Sequence, residues 1–457
     1  MTYPVARETL VFMTVSARTT AISRPVQGRW PVFLRGWIIA AAGGAGLAAS
    51  LPGEEVSLDS VWRWTEEHRP GYEIARFEAS ATEAEMQALR REGWPAFSIE
   101  AGGDYGQRVR PGEERDQGIA GRGEVLARLD WSLLQSGRNA RERALALRRL
   151  GVIEAGAAFD HALRAEVARI YVELALELDR QEILREGLEA FSRIAEVVER
   201  RNAEGVEPAG AVFRITERRA AFTIDLGEAG DRIDALTTQL AAITGRELRP
   251  ANVTLDPEAV LTRQSVAPNP RLAELRLQAE ERRADAEVLR ETDRWRVDLY
   301  GAAGPYFSEA FDDRYEQEYF GGLRFIWSPD VAGVRRERSL AQRQRARALE
   351  SEEADLRARF VERTEFIRRE LRDYALRWSG KVEVIEQARN SERAAQLRWR
   401  EGVGSWRDFA DELDEAVEAR LDEVAWRKSM ADRVIEYAEI TAGLDALPGW
   451  LGQERSP

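Results

Sequence analysis

The sequence contains no cysteine and only two histidines, His68 and His161, which are far apart in the chain. Without cysteine, disulfides, thiol nucleophiles and thiolate metal sites are excluded. Two distant histidines supply little for a catalytic site, and neither a P-loop nor a paired-acid motif accompanies them. We therefore expect no enzyme, no catalytic residue, no cofactor and no metal site.

Long apolar runs and an excess of positive charge are also missing. After residue 50, no stretch reaches the roughly 18 uncharged residues that a transmembrane helix needs. The 67 basic residues are outnumbered by 80 acidic ones, for a net charge of −13. This balance disfavours a nucleic-acid partner.

Residues 1–50 are predicted as a signal peptide with an N-terminal extension. Three arginines, Arg24, Arg29 and Arg35, precede the small-residue run WIIAAAGGAGLAAS at 37–50. Its end has the small-x-small pattern of a cleavage site. An ordinary buried helix is the alternative.

The sequence contains an internal repeat, the mark of a duplicated architecture. The second copy follows the first at an offset of about 200 residues. Matching features are Pro70 and Pro270, Leu89 and Leu289, WSLLQSG at 131–137 and WSPDVAG at 327–333, and Gly205 and Gly402.

Each unit is predicted as helix, strand pair, long helix, tight turn and returning helix. The first unit is expected at 51–245, with strands 95–106 and 124–134, a long helix 138–201, a turn 202–208 and a helix 209–245. The second is expected at 246–443, with helices 270–293, 333–400 and 406–443, strands 296–307 and 318–328, and a turn 401–405. A C-terminal tail, 444–457, follows.

Both long helices have apolar residues at coiled-coil spacing. This spacing of 4-3-4 predicts helices that pack side by side along a seam. A helix of 64 residues is about 95 Å long at a rise of ~1.5 Å per residue, so much of it must face solvent or a partner. The seam residues are Leu163, Val167, Ile170 and Leu174 in the first unit, and Ile367, Leu371, Tyr374 and Trp378 in the second.

The four strands alternate between an apolar or small face and a charged face. This pattern fits a lipid-facing barrel wall around a wet lumen, and it also fits a strand pair with one buried face. The predicted signal peptide favours the barrel. The residues assigned to lipid are Phe97, Ile99, Leu129, Trp131, Val297, Leu299, Leu323, Phe325 and Trp327.

Four strands cannot close a barrel of useful bore. An open sheet edge in lipid would leave backbone groups without hydrogen bonds. Several copies of the chain must therefore share one barrel if the strands span a membrane.

From about Leu58 to Gly443, the sequence resembles the TolC-like outer-membrane efflux protein family. The resemblance rests on the duplicated plan, on the helix starts at Pro70 and Pro270, on WSLLQSG and WSPDVAG, and on the glycine-containing turns. It implies a homotrimer with a twelve-stranded barrel in outer-membrane lipid of a Gram-negative bacterium. Long antiparallel coiled-coil helices would form a periplasmic α-barrel below it.

The resemblance also implies partners and a role. The trimer would be a passive exit duct of a tripartite efflux pump or a type I secretion system. It would dock a periplasmic adaptor (membrane fusion) protein and an inner-membrane transporter of the RND or ABC type.

The glycine turns would then be hairpin tips in the periplasm, where the chain must leave right-handed helical geometry and reverse. Ser405 is a good N-cap, and Asp408 three residues later makes a box-like cap. The residues assigned to the tips and to adaptor docking are Gly205, Val206, Gly402, Val403 and Ser405.

By the same resemblance, Asp408 and Asp411 would surround the periplasmic entrance as a gate. Threefold symmetry would gather six carboxylates and favour cations. The alternative is that Asp408 stabilises the helix N-terminus and Asp411 is solvated. The family often has a basic residue where Gly404 stands, and an acidic one where Ala211 stands. The latch of the closed state would therefore differ, with Arg398, Arg400 and Arg407 as replacements.

Two other functions remain open. The chain could be a structural coiled-coil protein of the periplasm or cytosol, with the strands as connectors. It could also be a phage receptor or adhesion protein of the same fold. The exported substrate cannot be predicted from these residues.

Overall fold

A computed structural model describes residues 55–69, 71–107, 119–255, 257–262, 269–308 and 315–453. The predicted signal peptide at 1–50 lies outside the described residues. Residues from Pro52 onward form one compact unit. Among the described residues, no helix is both long enough and apolar enough to cross a membrane.

Among the described residues, the first half of this unit contains two long strands and four helices, with two further short strands at its ends. The elements are β1 (Glu55–Val56), α1 (Leu58–His68), α2 (Gly71–Arg91), β2 (Ala96–Gln107), β3 (Ile119–Gln135), α3 (Arg138–Ala203), α4 (Ala209–Thr244) and β4 (Arg249–Pro250).

The second half repeats this order of helix, two strands, long helix and returning helix. The elements are α5 (Pro257–Thr262), α6 (Pro270–Glu291), β5 (Trp295–Ser308), β6 (Tyr315–Trp327), α7 (Val334–Arg400), α8 (Trp406–Ile440), a 3₁₀ turn (Leu444–Ala446) and α9 (Leu447–Trp450).

The long helices α3 and α7 bury most of the residues that the sequence analysis assigned to their seams. In α3, Leu163, Val167, Ile170 and Leu174 are buried in the main core. In α7, Ile367 and Leu371 are buried in that core, while Tyr374 packs against it. Helix α3 packs against α4, α6 and α8, and α7 packs against α6 and α8. The returning helices α4 and α8 therefore extend the bundle beyond the ends of α2 and α6 that lie away from the sheet.

The four long strands form one antiparallel sheet in the order β2-β3-β5-β6. Strands β2 and β6 are its edges. The central pairing of β3 with β5 joins the two repeats, and a register shift between Ser132 and Leu134 interrupts it. The sheet is thus built from both halves of the chain.

A hydrogen-bond hub lies halfway along α3. The buried Tyr171 hydroxyl donates to the carbonyl of Val56 at 2.7 Å and accepts from the Ala251 amide at 2.9 Å. The Gln453 side-chain Nε2 donates to this hydroxyl at 2.8 Å, and the Gln453 side-chain Oε1 accepts from the Leu58 amide. Because β1 pairs with β4 next to it, this hub ties three distant chain segments to one helix.

The segment from residue 444 differs from the predicted tail. Leu444, Leu447, Trp450 and Leu451 are buried, and they belong to the main core. The Trp450 ring lies 6.1 Å from that of Tyr437 on α8. The physical reason is apolar burial, because these large side chains find a surface on α8 and α3 that the sequence pattern does not reveal.

Candidate functional site

The strand register places all nine residues assigned to lipid on one face of the sheet. Phe97 lies opposite Leu129, and Trp131 lies opposite Leu299. Leu299 in turn faces Leu323. Because alternate residues of a strand point to the same side, these pairs bring Ile99, Val297, Phe325 and Trp327 to the same face.

This apolar face is largely uncovered within one chain. Phe97 is 80% exposed and Ile99 is 79% exposed, and Leu323, Phe325 and Trp327 are also exposed. Contiguous exposed apolar surface of this kind marks a membrane or partner interface.

The opposite face of the sheet carries ion pairs. Arg128 pairs with Glu100 at 2.8 Å, and Arg296 pairs with Asp298 at 3.0 Å. Leu126, which breaks the alternation of β3, lies on this face and is buried. The two faces therefore differ in the way that the strand pattern predicts.

Both hairpin tips end in the same backbone motif. In the first, the Val206 amide donates to the Arg201 carbonyl and the Gly205 amide donates to the Asn202 carbonyl, both at 2.9 Å. Gly205 has a φ of +75°. These 6→1 and 5→2 bonds define a Schellman motif, which needs a left-handed residue at its centre.

The second tip repeats this geometry. The Val403 amide donates to the Arg398 carbonyl at 2.9 Å, and the Gly402 amide donates to the Trp399 carbonyl at 3.1 Å. Gly402 also has a φ of +75°. Both Val206 and Val403 are exposed at their tips, so each tip presents one apolar side chain to solvent.

Asp408 takes part in the box-like cap expected at the start of α8. Its amide donates to the Ser405 hydroxyl at 3.1 Å, and its carboxylate accepts from the Ser405 amide at 3.4 Å. Asp408 and Asp411 are both exposed. Asp408 therefore stabilises the helix start, while Asp411 has no cation within ion-pair distance among the described residues.

The three arginines considered as latch replacements make no ion pair among the described residues. Arg398 donates to the Ala394 carbonyl of its own helix. Arg407 stacks over the Trp406 ring, and Arg400 is exposed. Within one chain, none of them locks a tip.

A different pair joins the two hairpins near their tips. The Arg218 guanidinium on α4 donates to the Asp414 carboxylate on α8 at 2.7 Å through Nε. Arg218 also lies 3.4 Å from Glu418. Partial burial raises the pKa of the Asp414 carboxyl, and the neighbouring Arg218 charge opposes that rise. The sequence analysis missed this pair, because the two residues are far apart in the chain.

A row of acidic residues, here called the α8 acidic row, follows one side of α8. Its spacing alternates between three and four residues, except that Ala425 and Ser429 occupy two of the positions, so its members share a face of a supercoiled helix in two groups. The sequence analysis identified only the first two members. The row consists of Asp408, Asp411, Glu415, Glu418, Asp422, Asp432, Glu436 and Glu439.

The last three members of the row line a groove of about 1010 Å³ between α3, α7 and α8. Arg169 pairs with Glu439, and Arg363 pairs with Glu436. Burial raises the pKa of the Asp432 carboxyl. This groove lies where α8 ends and α6 begins, so a helix junction leaves the space.

The groove and the hub occupy different sides of α3. Ala162 and Arg169 line the groove, whereas Arg164 contacts Glu66 of α1 and Tyr171 holds β1. Residues two apart on a helix differ by about 200° in direction. The last three members of the α8 acidic row therefore lie on the side of α3 away from its contacts with α1 and β1.

No protein-family model and no curated protein matches this sequence. Solved structures do match. The outer-membrane channel OprN aligns with a TM-score of 0.69 at 18% identity, over 84% of this chain and 90% of that chain.

Two more structures align equally well. The outer membrane protein VceC of Vibrio cholerae has a TM-score of 0.69 at 14% identity, over 84% of this chain and 96% of that one. The Campylobacter jejuni CmeC outer membrane channel has a TM-score of 0.70 at 12% identity, over 90% and 94% of the two chains. At these identities, the likeness shows that the chain has the fold of outer-membrane channel proteins.

Proposed function

We propose that this protein is a trimeric outer-membrane channel-tunnel, placed in the outer membrane of a Gram-negative bacterium and extending into the periplasm. One observation carries the proposal. Nine apolar residues from four strands lie together on one exposed face of a sheet whose opposite face holds ion pairs. Water is a poor solvent for such a face, whereas lipid covers it without cost.

Closure by several copies follows from the edges of the sheet. Among the described residues, strands β2 and β6 each have no partner on one side. In lipid, every backbone polar group needs a hydrogen bond, so β6 of one copy would pair with β2 of the next. Three copies would give twelve strands, and the exposed side of α7 would meet α2 and α4 of a neighbour.

The trimer would serve as a passive exit duct for a tripartite efflux pump or a type I secretion system. The two Schellman tips, with Val206 and Val403 exposed, would dock a periplasmic adaptor protein. An inner-membrane transporter would supply the energy, since the chain offers no nucleotide-binding motif. The fold shared with OprN and CmeC, each described as an outer-membrane channel, supports this role.

The α8 acidic row would line the lumen of the tunnel and give it a preference for cations. Asp408 and Asp411 would form the rings nearest the entrance, as a gate, and Arg218 with Asp414 would hold the hairpins together in place of the missing latch. The position of the row's last three members, on the side of α3 away from its contacts with α1 and β1, supports this placement. Rings of carboxylates concentrate cations in a narrow passage.

Conductance of single trimers in planar bilayers tests both channel and gate. We expect cation-selective conductance from the native protein, and a clear loss of that selectivity in the variant Asp411→Asn with Glu415→Asn. Glu383→Gln with Glu386→Gln, on exposed positions of α7 outside the groove, is the matched control. Native protein that stays a water-soluble monomer without conductance would refute the channel, whereas unchanged selectivity would refute only the acidic lining.

A further inference from the structure

The first four turns of α7 are unusually rich in arginine. Arg335 donates to the Ser328 carbonyl at 3.1 Å. The other five are exposed, and none pairs with a carboxylate among the described residues. By the helical repeat these five project to two sides of α7. We call them together the α7 arginine patch: Arg336, Arg343 and Arg347 on one side, and Arg338 and Arg345 on the other.

The corresponding start of α3 also contains arginines. Arg138 donates to the Arg90 carbonyl, and the other four are paired with carboxylates inside the chain. Their partners lie on α2, on α6 and after α6, at distances of 3.1 to 3.7 Å. The pairs are Arg141 with Asp293, Arg143 with Glu287, Arg148 with Glu85, and Arg149 with Glu83. Helix α3 thus uses its arginines for internal contacts, whereas α7 leaves the same kind of side chain without an internal partner.

The helix dipole does not favour Arg336, the patch residue in the first turn of α7. The N-terminus of a helix carries partial positive charge, so arginine there is unfavourable and acidic residues are preferred. The first turn of α7 contains only one acidic residue, Glu337. A negatively charged partner outside the chain would offset this repulsion.

Tryptophans mark the position of the patch relative to the sheet. Strand β6 ends at Trp327, which lies opposite Trp295 of β5. Trp131 lies at the same end of β3 and donates to the Gly93 carbonyl. Trp94, just before β2, is 72% exposed. Tryptophan is enriched where the hydrocarbon of a membrane meets its headgroups, so this end of the sheet fits the interface.

The direction of α7 points its arginines toward that interface. In a helix, each Cα–Cβ bond tilts toward the N-terminus. Since α7 begins at the sheet, its side chains lean back toward the tryptophans. At ~1.5 Å per residue, Arg336 and Arg338 lie within about 6 Å of the start of α7, and Arg343 lies about 14 Å from it.

We propose that the α7 arginine patch binds the phosphate groups of anionic phospholipids in the periplasmic leaflet of the membrane. This inference rests on the proposed function, because it needs the sheet in lipid. Guanidinium groups bind phosphate oxygens in pairs of hydrogen bonds. A group of four to eight basic residues next to a membrane segment is the pattern that recognises anionic lipid. The patch would anchor the start of α7 and fix the depth of each copy.

The test uses the full trimer in nanodiscs of phosphatidylcholine and phosphatidylglycerol mixed three to one. After gentle detergent extraction, mass spectrometry gives the ratio of the two lipids that stay bound. We expect phosphatidylglycerol to be enriched at least about threefold over the nanodisc, and that enrichment to fall at high salt. The patch variant changes all five arginines to glutamine and should lose the enrichment.

The control variant removes the same charge from exposed positions of the same helix, far from the sheet. It changes Arg369, Arg372, Arg377, Arg389 and Arg393 to glutamine, and it should retain the enrichment. A smaller variant, Arg336→Gln with Arg338→Gln, covers the case in which the fivefold variant fails to fold. It should lose part of the enrichment.

Several results would overturn the proposal. One is equal enrichment in the native protein and both variants. Another is a patch variant that falls apart into monomers in pure phosphatidylcholine while the control stays trimeric, which would assign the arginines to contacts between copies. Displacement of the lipid by millimolar inorganic phosphate would point to a free-anion site. Native protein that inserts into neither lipid would refute the proposed function itself. This failure would be seen when the nanodiscs are assembled, before any lipid ratio is measured.

Discussion

Helices α3 and α7 have nearly the same length, 66 and 67 residues, and the same place in the two repeats. Their surroundings differ sharply. Helix α3 buries 22 residues, whereas α7 buries six. Helix α3 packs against four long helices, α2, α4, α6 and α8. Among the described residues, the long helices that pack against α7 are α6 and α8.

The exposed side of α7 carries apolar residues that a solvated helix does not need. They lie along its whole length, and Leu376 is 78% exposed. This contrast indicates that the bundle around α3 is fully packed within one chain, whereas the exposed side of α7 is not. The exposed large apolar residues of α7 are Val334, Leu340, Val361, Phe366, Leu376, Val384 and Leu397.

The largest expected effect separates the two helices directly. Leu174→Ala in α3 should lower the free energy of unfolding by about 2–5 kcal/mol, because it removes a fully buried side chain and leaves a cavity. Leu376→Ala in α7 should change the stability of a single chain by less than about 0.5 kcal/mol. Chemical unfolding followed by circular dichroism measures both.

The same pair of variants tests the role of α7 in assembly. In native mass spectrometry, Leu376→Ala should increase the monomer fraction relative to the unchanged protein. Equal losses of chain stability in the two variants would mean that α7 is already covered within one chain.

The second effect concerns the hub on α3, which has no counterpart on α7. Tyr171→Phe should cost about 1–3 kcal/mol, since it leaves the Val56 carbonyl and the Ala251 amide without their buried partner. Tyr374→Phe on α7 is the matched control, because that ring packs against Trp426 and no hydrogen bond of its hydroxyl is seen among the described residues. A cost as large for Tyr374 would contradict the distinction.

The hub also predicts a pH dependence. Burial raises the pKa of the Tyr171 hydroxyl from 10.0 to about 12. Because the folded-state pKa is raised, folding favours the neutral hydroxyl. The stability that Tyr171 contributes is therefore complete below about pH 10 and is lost as the pH rises toward 12. An absorbance titration of the native protein should show a late phenolate step that disappears in Tyr171→Phe.

The smallest effect should be equal in the two hairpins. Gly205→Ala and Gly402→Ala should each cost about 1–2 kcal/mol, because both residues are left-handed and nothing lies within 4 Å of the added methyl. Gly380→Ala, inside α7 with equally open space, should instead stabilise by up to about 1 kcal/mol. Thermal unfolding measures all three, and a large difference between the two tips would show that they are not equivalent.

Much of this fold could be predicted from local patterns. The 4-3-4 spacing identified the long helices, and the alternation of β2, β3, β5 and β6 identified a face that the register confirms. The positions of the tips could be predicted because, in a helical sequence, a glycine followed by a helix-capping residue indicates that one helix ends and the next begins. The bounds of both long helices differ from the prediction by only a residue or two.

The remaining features depend on contacts between distant residues. Arg218 and Asp414 are single charges among many in sequence, and only the packing of the two hairpins makes them a pair. The sequence analysis identified only Asp408 and Asp411 of the α8 acidic row. Most charged helix faces are simply solvated, so the rest of the row gains meaning only beside the groove.

The amino-acid sequence by itself determined the helices, the strands and the points where the chain reverses, because these follow from periodicity and from backbone preferences within a few residues. Only the tertiary structure decided which of two equally long helices forms the core, and that Tyr171 would meet residues 56, 251 and 453. Those outcomes depend on which surfaces pack against each other, because the burial of a residue is set by its neighbours as well as by its own side chain.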